Sequence, residues 1–316
     1  MTDLAKFTAP NRLKTAVLFL VFNRLDTTKQ VFQSIRQAKP PRLYIASDGP
    51  RVDHEGDAQN VSAVRDYIIK NIDWECEIRT LFRDHNLGCK YAVSGAITWF
   101  FENEEYGIIL EDDCLPSQSF FWFCEELLER YKDDTRVWHI SGDNFQEKIK
   151  RGDASYYFSK YTHIWGWASW ANRWSMYDVE MKSFETFDKQ NKISSVFGEK
   201  KSQRYWLAVF KEVFLGKIDT WDYQWVYAIM SNSGLNVMPN QNLISNIGFG
   251  IDATHTKDLD SQLSKIPRTD LLAPLHHPGF VMHDIEADFF TASKIFKLET
   301  SIVEFFIRLR NVFLKR

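Results

Sequence analysis

Cysteine is scarce in this chain of 316 residues, and the few present are not arranged for metal. None of Cys76, Cys89, Cys114 and Cys124 forms a Cys-x-x-Cys pair, which argues against a zinc site, and so low a count fits a reducing compartment. No apolar run reaches the roughly 18 residues needed to cross a bilayer. The opening, Met1 to Pro10, lacks the apolar region of a secretory signal, so the expected location is the cytoplasm, where nucleotide sugars are made. An excess of charge of one sign is also missing. With 39 Lys and Arg against 42 Asp and Glu, the formal net charge of -3 gives no electrostatic reason to expect a nucleic-acid partner. Internal repeats and low-complexity linkers are absent, so the two halves of the chain are expected to share one body. Hydrophobic residues at 44% are enough to bury a core without disulfides. What the chain has in abundance is aromatic residues, including 11 Trp. Their flat faces and polar edges suit sugar rings as well as cores, and core packing is the commoner use.

The first half alternates strand and helix signals. Residues 15–22, Thr-Ala-Val-Leu-Phe-Leu-Val-Phe, form a short continuous apolar run, the mark of a strand buried on both faces in a parallel sheet. Residues 26–38 read as a helix capped by Asp26 or Thr27, with Val31, Phe32 and Ile35 on one face. Strands over 42–47, 77–82 and 106–110 and helices over 57–72 and 89–103 continue the alternation. Such a chain folds as a mixed, mostly parallel α/β sheet with helices on both faces. The second half is less regular. A helix over 120–131, a strand over 136–142 and another over 235–239 stand out, helices fill the stretch up to residue 231, and 240–293 reads as loop-rich.

The sharpest local signal is Gly107-Ile-Ile-Leu-Glu-Asp-Asp113, three carboxylates directly after a strand. In open α/β sheets ligands bind beyond the carboxyl ends of the strands. Adjacent carboxylates invite a cation, and hard oxygen donors select Mg2+ or Mn2+, commonly completed by substrate phosphates. The competing interpretation, a solvated acidic turn, is weakened by the buried strand leading straight into the acids.

This pattern resembles the glycosyltransferases of the GT-A fold, most closely N-acetylglucosaminyltransferase I and bacterial family-2-like nucleotide-diphospho-sugar transferases. The similarity runs from Thr15 to Thr256. It implies a nucleotide-sugar donor, a UDP-sugar by the family's pattern, and a glycan or lipid-linked glycan acceptor. By this resemblance Asp113 binds Mn2+ or Mg2+, Asp112 faces the ribose or the metal's waters, and Glu111 faces the donor sugar. Phe22, Asn23 and Arg24 after the first strand and Asp48 after the second would hold the nucleotide, Asp48 accepting from the base edge. His85 and Lys90 correspond to the segment closing over the nucleotide and its phosphates, where a cation at a helix start also suits a diphosphate. Trp167, in Trp165-Gly-Trp167, matches a loop under the donor sugar and acceptor. Asp219-Thr-Trp-Asp-Tyr-Gln-Trp225 resembles the segment carrying the catalytic base, which makes Asp222 the base and Asp219 its reserve; here Tyr223 and Gln224 depart from the pattern. His255 would ligate the metal or donate to the diphosphate.

The resulting division is a transferase domain over 1–293, with a nucleotide-binding half at 15–113 and an acceptor and catalytic half at 114–293, and an amphipathic helix over 294–316. That helix carries Ile295, Leu298, Ile302, Phe305, Leu309 and Val312 on one face and basic residues opposite, suited to a peripheral contact with an anionic membrane. Two other functions compete. A sugar-1-phosphate nucleotidyltransferase needs a glycine-rich basic loop after the first strand, and Phe22-Asn-Arg-Leu-Asp26 stands there instead. A non-catalytic carbohydrate-binding protein has little need for Glu111, Asp112, Asp113 and Asp222 together.

Overall fold

A computed structural model describes residues 7–249 and 266–298. The expected alternation is present: β1 (Val17–Val21), α1 (Leu25–Ala38), β2 (Arg42–Ser47), α2 (Asp57–Asn71), β3 (Glu77–Phe82), α3 (Gly88–Phe101) and β4 (Tyr106–Glu111). There follow β5 (Cys114–Pro116), α4 (Gln118–Tyr131), β6 (Val137–Ser141), β7 (Tyr156–Ser159), β8 (Trp167–Trp170), α5 (Ala171–Trp174), α6 (Phe184–Lys189) and α7 (Ile193–Val196). The chain then forms α8 (Lys200–Phe214), α9 (Asp222–Ser231), β9 (Leu235–Pro239), β10 (Ile244–Asn246) and α10 (Ile285–Lys294). Eight strands make one sheet in the order β3-β2-β1-β4-β8-β6-β9-β7, parallel from β3 through β4 and mixed beyond, while β5 and β10 pair as a small antiparallel ribbon.

The apolar run of β1 is explained by its two sides. Val17, Phe19 and Val21 join Val31, Phe32 and Ile35 of α1, with α2 and α4, in one core layer. The alternating Leu18 and Leu20 join α3, Trp167, Trp174 and Trp225 in the other. Period-two side chains facing two covered surfaces require an unbroken apolar strand. A third cluster, built on Trp206, Phe210, Tyr227 and Ala292, ties α8, α9 and α10 together.

Three expectations change. Helix α1 begins at Leu25 with Arg24 at its N-cap and no side-chain cap, so neither Asp26 nor Thr27 serves there. The stretch read as loop-rich contains α10, capped by Asp284, whose side chain accepts from Ala287 N at 2.8 Å. The helix expected to begin at 294 does not start there, because Lys294 ends α10 and the chain turns through Lys297 at φ 53°. Phe296 then stacks on Tyr161, with centroids 5.3 Å apart. Residues 299–316 and His255 lie outside the described residues. Among the described residues no helix is long and apolar enough to cross a membrane.

Candidate active site

Register builds the site. Val21 of β1 lies beside Ser47 of β2, and Leu20 beside Glu111 of β4. The residues that follow, Phe22 to Arg24, Asp48 and Gly49, and Glu111 to Asp113, therefore emerge along one edge at the carboxyl ends of parallel strands. Asp112 is only 4% exposed. Its Oδ2 accepts from Phe22 N at 3.3 Å and its Oδ1 from Arg24 Nη2 at 2.5 Å. The same Arg24 nitrogen donates to Asp113 Oδ2 at 2.8 Å. Behind Asp113 the β5–β10 ribbon continues through Ile247 N, which donates to Asp113 O at 2.8 Å. A Cβ on Gly248 would lie 2.1 Å from Asp113 Oδ2, so only glycine permits this approach. Burial, and then Asp113, push the Asp112 carboxyl up to about 6 against the pull of Arg24. Glu111 is raised further, by burial first and then by Asp113, Asp112 and Asp222.

Opposite this motif the start of α3 gathers two more carboxylates. Asp48 accepts from Gly49 N at 2.9 Å, Leu87 N at 3.0 Å and Gly88 N at 3.2 Å. Asp219 Oδ1 accepts from Lys90 N at 3.3 Å. The N–H groups of Leu87, Gly88 and Lys90 at the start of α3 are thus bonded by acids from distant segments. Asp222, in the first turn of α9, uses Oδ1 for the Thr220 hydroxyl and for Tyr223 N at 2.8 Å, and its other oxygen has no hydrogen bond among the described residues. The half-buried Cys89 thiol is pushed up by desolvation and then by Glu111, Asp222, Asp219 and Asp48. Those four acids therefore lie within electrostatic reach of one thiol, and Asp222 likewise acts on Glu111.

The expected site residues divide. Arg24, Asp112 and Asp113 come together in one ion-paired cluster, with Glu111 beside them in sequence and Asp222 within electrostatic reach of it. Phe22 joins them through its backbone and carries the Arg51 guanidinium over its ring at 5.4 Å. Asn23 is tied instead to Asp57, at 2.7 Å. Asp48 caps α3, its buried carboxylate accepting from the backbone N–H groups of Gly49, Leu87 and Gly88, a role the sequence did not indicate. His85 is exposed, and its backbone packs so closely on Gly49 that a Cβ there would meet it at 2.4 Å. Lys90 is held by Glu180 at 3.3 Å and lies over the Tyr91 ring. Trp167 is a correction. At 1% exposure it stacks between His139 and Trp221 in the core and has no face to offer a sugar. Trp165 is the half-buried member, edge-on to Phe145 and Phe249.

Sequence reasoning missed two features. Asp57, bonded by Arg51 at 2.6 Å, fixes the corner that carries Asn23, and no spacing rule points to it. Asp143, fully buried, accepts from the Ser141 hydroxyl at 2.7 Å and Trp165 N at 3.3 Å, with His163 Nδ1 3.4 Å away. Its place just past the end of β6, like that of the other acids, was the available signal.

No family model matches this sequence, and no curated protein matches it. Among solved structures it is similar to a mannosyltransferase of Pyrobaculum calidifontis in complex with GDP-Man and Mn2+, at 11% identity and a TM-score of 0.39, covering 70% of each chain. It is also similar to TarS of S. aureus, at 9% identity and 0.34, covering 52% of this chain and 48% of that one. A UDP-glucose pyrophosphorylase complexed with UDP-glucose gives 9% and 0.30, covering 52% and 79%. Likenesses this shallow carry no argument about the reaction.

Among the described residues no three His, Cys, Asp or Glu side chains form a ready metal cage. The donor set still fits a hard divalent ion. Asp112 Oδ1 and Asp113 Oδ2 converge on one point, now held by the Arg24 nitrogen, and two carboxylates completed by waters and phosphate oxygens are a usual Mg2+ arrangement.

Proposed function

We propose that this chain is a metal-dependent, inverting glycosyltransferase that moves a sugar from a nucleotide-diphosphate donor, a UDP-sugar by preference, to a hydroxyl of a glycan or lipid-linked glycan. One observation supports the reading best: Asp112 and Asp113, just past the end of β4, converge on one Arg24 nitrogen past the end of β1, with Asp222 within electrostatic reach of the adjoining Glu111. Asp112 and Asp113 would hold Mn2+ or Mg2+, which when bound neutralises charge on a departing diphosphate. Phe22, stacked by Arg51, offers a flat surface for a base. Glu111, its carboxyl raised by burial and neighbouring acids, would face the donor sugar as a hydrogen-bonding partner for a hydroxyl. Asp222 takes the acceptor's proton as that oxygen attacks the anomeric carbon, and a single displacement inverts its configuration. Holding two substrates in one crevice supplies most of the rate. Contact of residues 294–316 with an anionic membrane belongs to the same proposal, and co-sedimentation with anionic vesicles would reveal it.

The test is incubation with a panel of nucleotide sugars and acceptor glycans, with and without Mn2+. Metal-dependent release of nucleoside diphosphate is expected, falling about 10²–10⁴-fold in Asp222→Asn with donor affinity little changed. Release of pyrophosphate from a nucleoside triphosphate and a sugar-1-phosphate would instead identify a nucleotidyltransferase. Sugar binding without turnover would identify a binding protein.

A further inference from the structure

We propose that Arg24 is the resident cation of the Asp112–Asp113 pair, and that a divalent ion binds there only in exchange with it, the released guanidinium then turning to the donor's diphosphate. This rests on reading the crevice as a nucleotide-diphosphate site. Four observations support it. A single nitrogen, Nη2, serves both carboxylates, at 2.5 and 2.8 Å, so Arg24 stands at the point where their oxygens converge. An ion bound by those same oxygens at about 2.0–2.2 Å would overlap that nitrogen, and two like charges so close repel strongly. The two carboxylates are largely shielded, with side chains 6% and 14% exposed, so leaving the pair without a cation is costly, whereas the Arg24 side chain at 28% has a route to solvent. The backbone of Arg24 is anchored independently. Its carbonyl accepts from Thr28 N at 3.1 Å and the Thr28 hydroxyl at 2.6 Å at the start of α1. The side chain can therefore swing while the strand end stays in place. Its Nε and Nη1 are not used in holding the carboxylates and remain as donors for phosphate oxygens, and once Nη2 is released a whole edge of the guanidinium fork is free for them.

Exchange makes the two ligands cooperative. A nucleoside diphosphate that offers Arg24 a new anionic partner must tighten the divalent ion, and the ion must tighten the nucleotide by the same factor. The experiment measures Mn2+ binding by EPR of the free ion, with and without UDP, in the parent chain, Arg24→Ala and Arg24→Lys. In the parent, UDP should tighten Mn2+ about tenfold or more, within the usual range of such couplings. Arg24→Ala should bind Mn2+ alone about tenfold more tightly than the parent and lose that coupling, and Arg24→Lys, which keeps the charge, should stay near the parent. Asp112→Asn should weaken Mn2+ in either background. If Arg24→Ala proves unfolded by circular dichroism, Arg24→Gln removes the charge at similar size and gives the same readout. Equal Mn2+ affinity in the parent and the neutral variant, or no Mn2+ binding by any of them, overturns the exchange. Turnover of a nucleotide sugar alongside equal affinities would sink the exchange alone. Exchange as expected without turnover of any nucleotide sugar would sink the transferase reading alone.

Discussion

Gly248→Ala tests how tightly Asp113 is held. An added Cβ would sit 2.1 Å from Asp113 Oδ2 and 2.7 Å from both its Cβ and its Cγ. Ordinary contact begins near 3.4 Å, so the carboxylate oxygen must retreat by about 1.3 Å. Rotating the carboxylate cannot relieve the clash, because Asp113 Cβ is itself too near. The ribbon must open at Ile247 N to Asp113 O, now 2.8 Å, or the Asp113 backbone must move. A shift of that size takes the 2.8 Å bond from Arg24 to Asp113 beyond hydrogen-bonding range. A hydrogen bond to a charged group contributes roughly 1.5–3 kcal/mol, so the loss should be about 2 kcal/mol. Chemical denaturation should show it as a lower midpoint with unchanged slope. Calorimetry with Mn2+ and UDP should show affinity weaker by about tenfold or more. Gly198→Ala is the control, since nothing lies within 4 Å of its built Cβ. A Gly248→Ala chain that unfolds with the parent and binds Mn2+ and UDP equally well would refute the clamp.

Asp57 is depressed to about 2, chiefly by its bond with Arg51 and then by Asn23. Its stabilisation is complete above the unfolded carboxylate range near pH 4 and is lost as pH falls towards 2. Asp57→Asn should therefore cost about 1–2 kcal/mol at pH 7, the half-exposed Arg51 being partly screened, and the difference from the parent should shrink in melts below pH 3. Trp167→Ala should cost about 3–5 kcal/mol or prevent folding, as a buried ring leaves a cavity. Trp165→Ala should cost much less stability and weaken nucleotide-sugar binding instead; the reverse order in thermal melts would return Trp167 to the ligand surface.

Much of the architecture of the first half was legible because its signals are local. The run from Thr15 to Phe22 is apolar at every position, and only a strand covered on both faces needs that. Glu111, Asp112 and Asp113 follow a buried strand without interruption, and a parallel sheet opens a crevice at that end. The ribbon of β5 and β10 was not legible. Three residues are too few to show a period, and each strand exists only because the other lies beside it.

The Trp165-Gly-Trp167 segment shows where local reasoning stopped. Residues two apart in a strand share a face, but Gly166 at φ 66° turns the chain between them. One ring enters the core as β8 begins, and the other stays at the edge. Composition announced the aromatic residues, and only the packing of α5 and α9 on that face decided which of them is buried. Asp48 is similar. A carboxylate after a strand suits a ligand or a helix cap equally well, and the choice fell to where α3 begins. Arg24 reaches Asp112 across 88 residues of sequence. The sequence determined which residues end which strands, because strand and helix periods are written in near neighbours. The tertiary structure alone decided which charge meets which, because that depends on the register of β1 against β4.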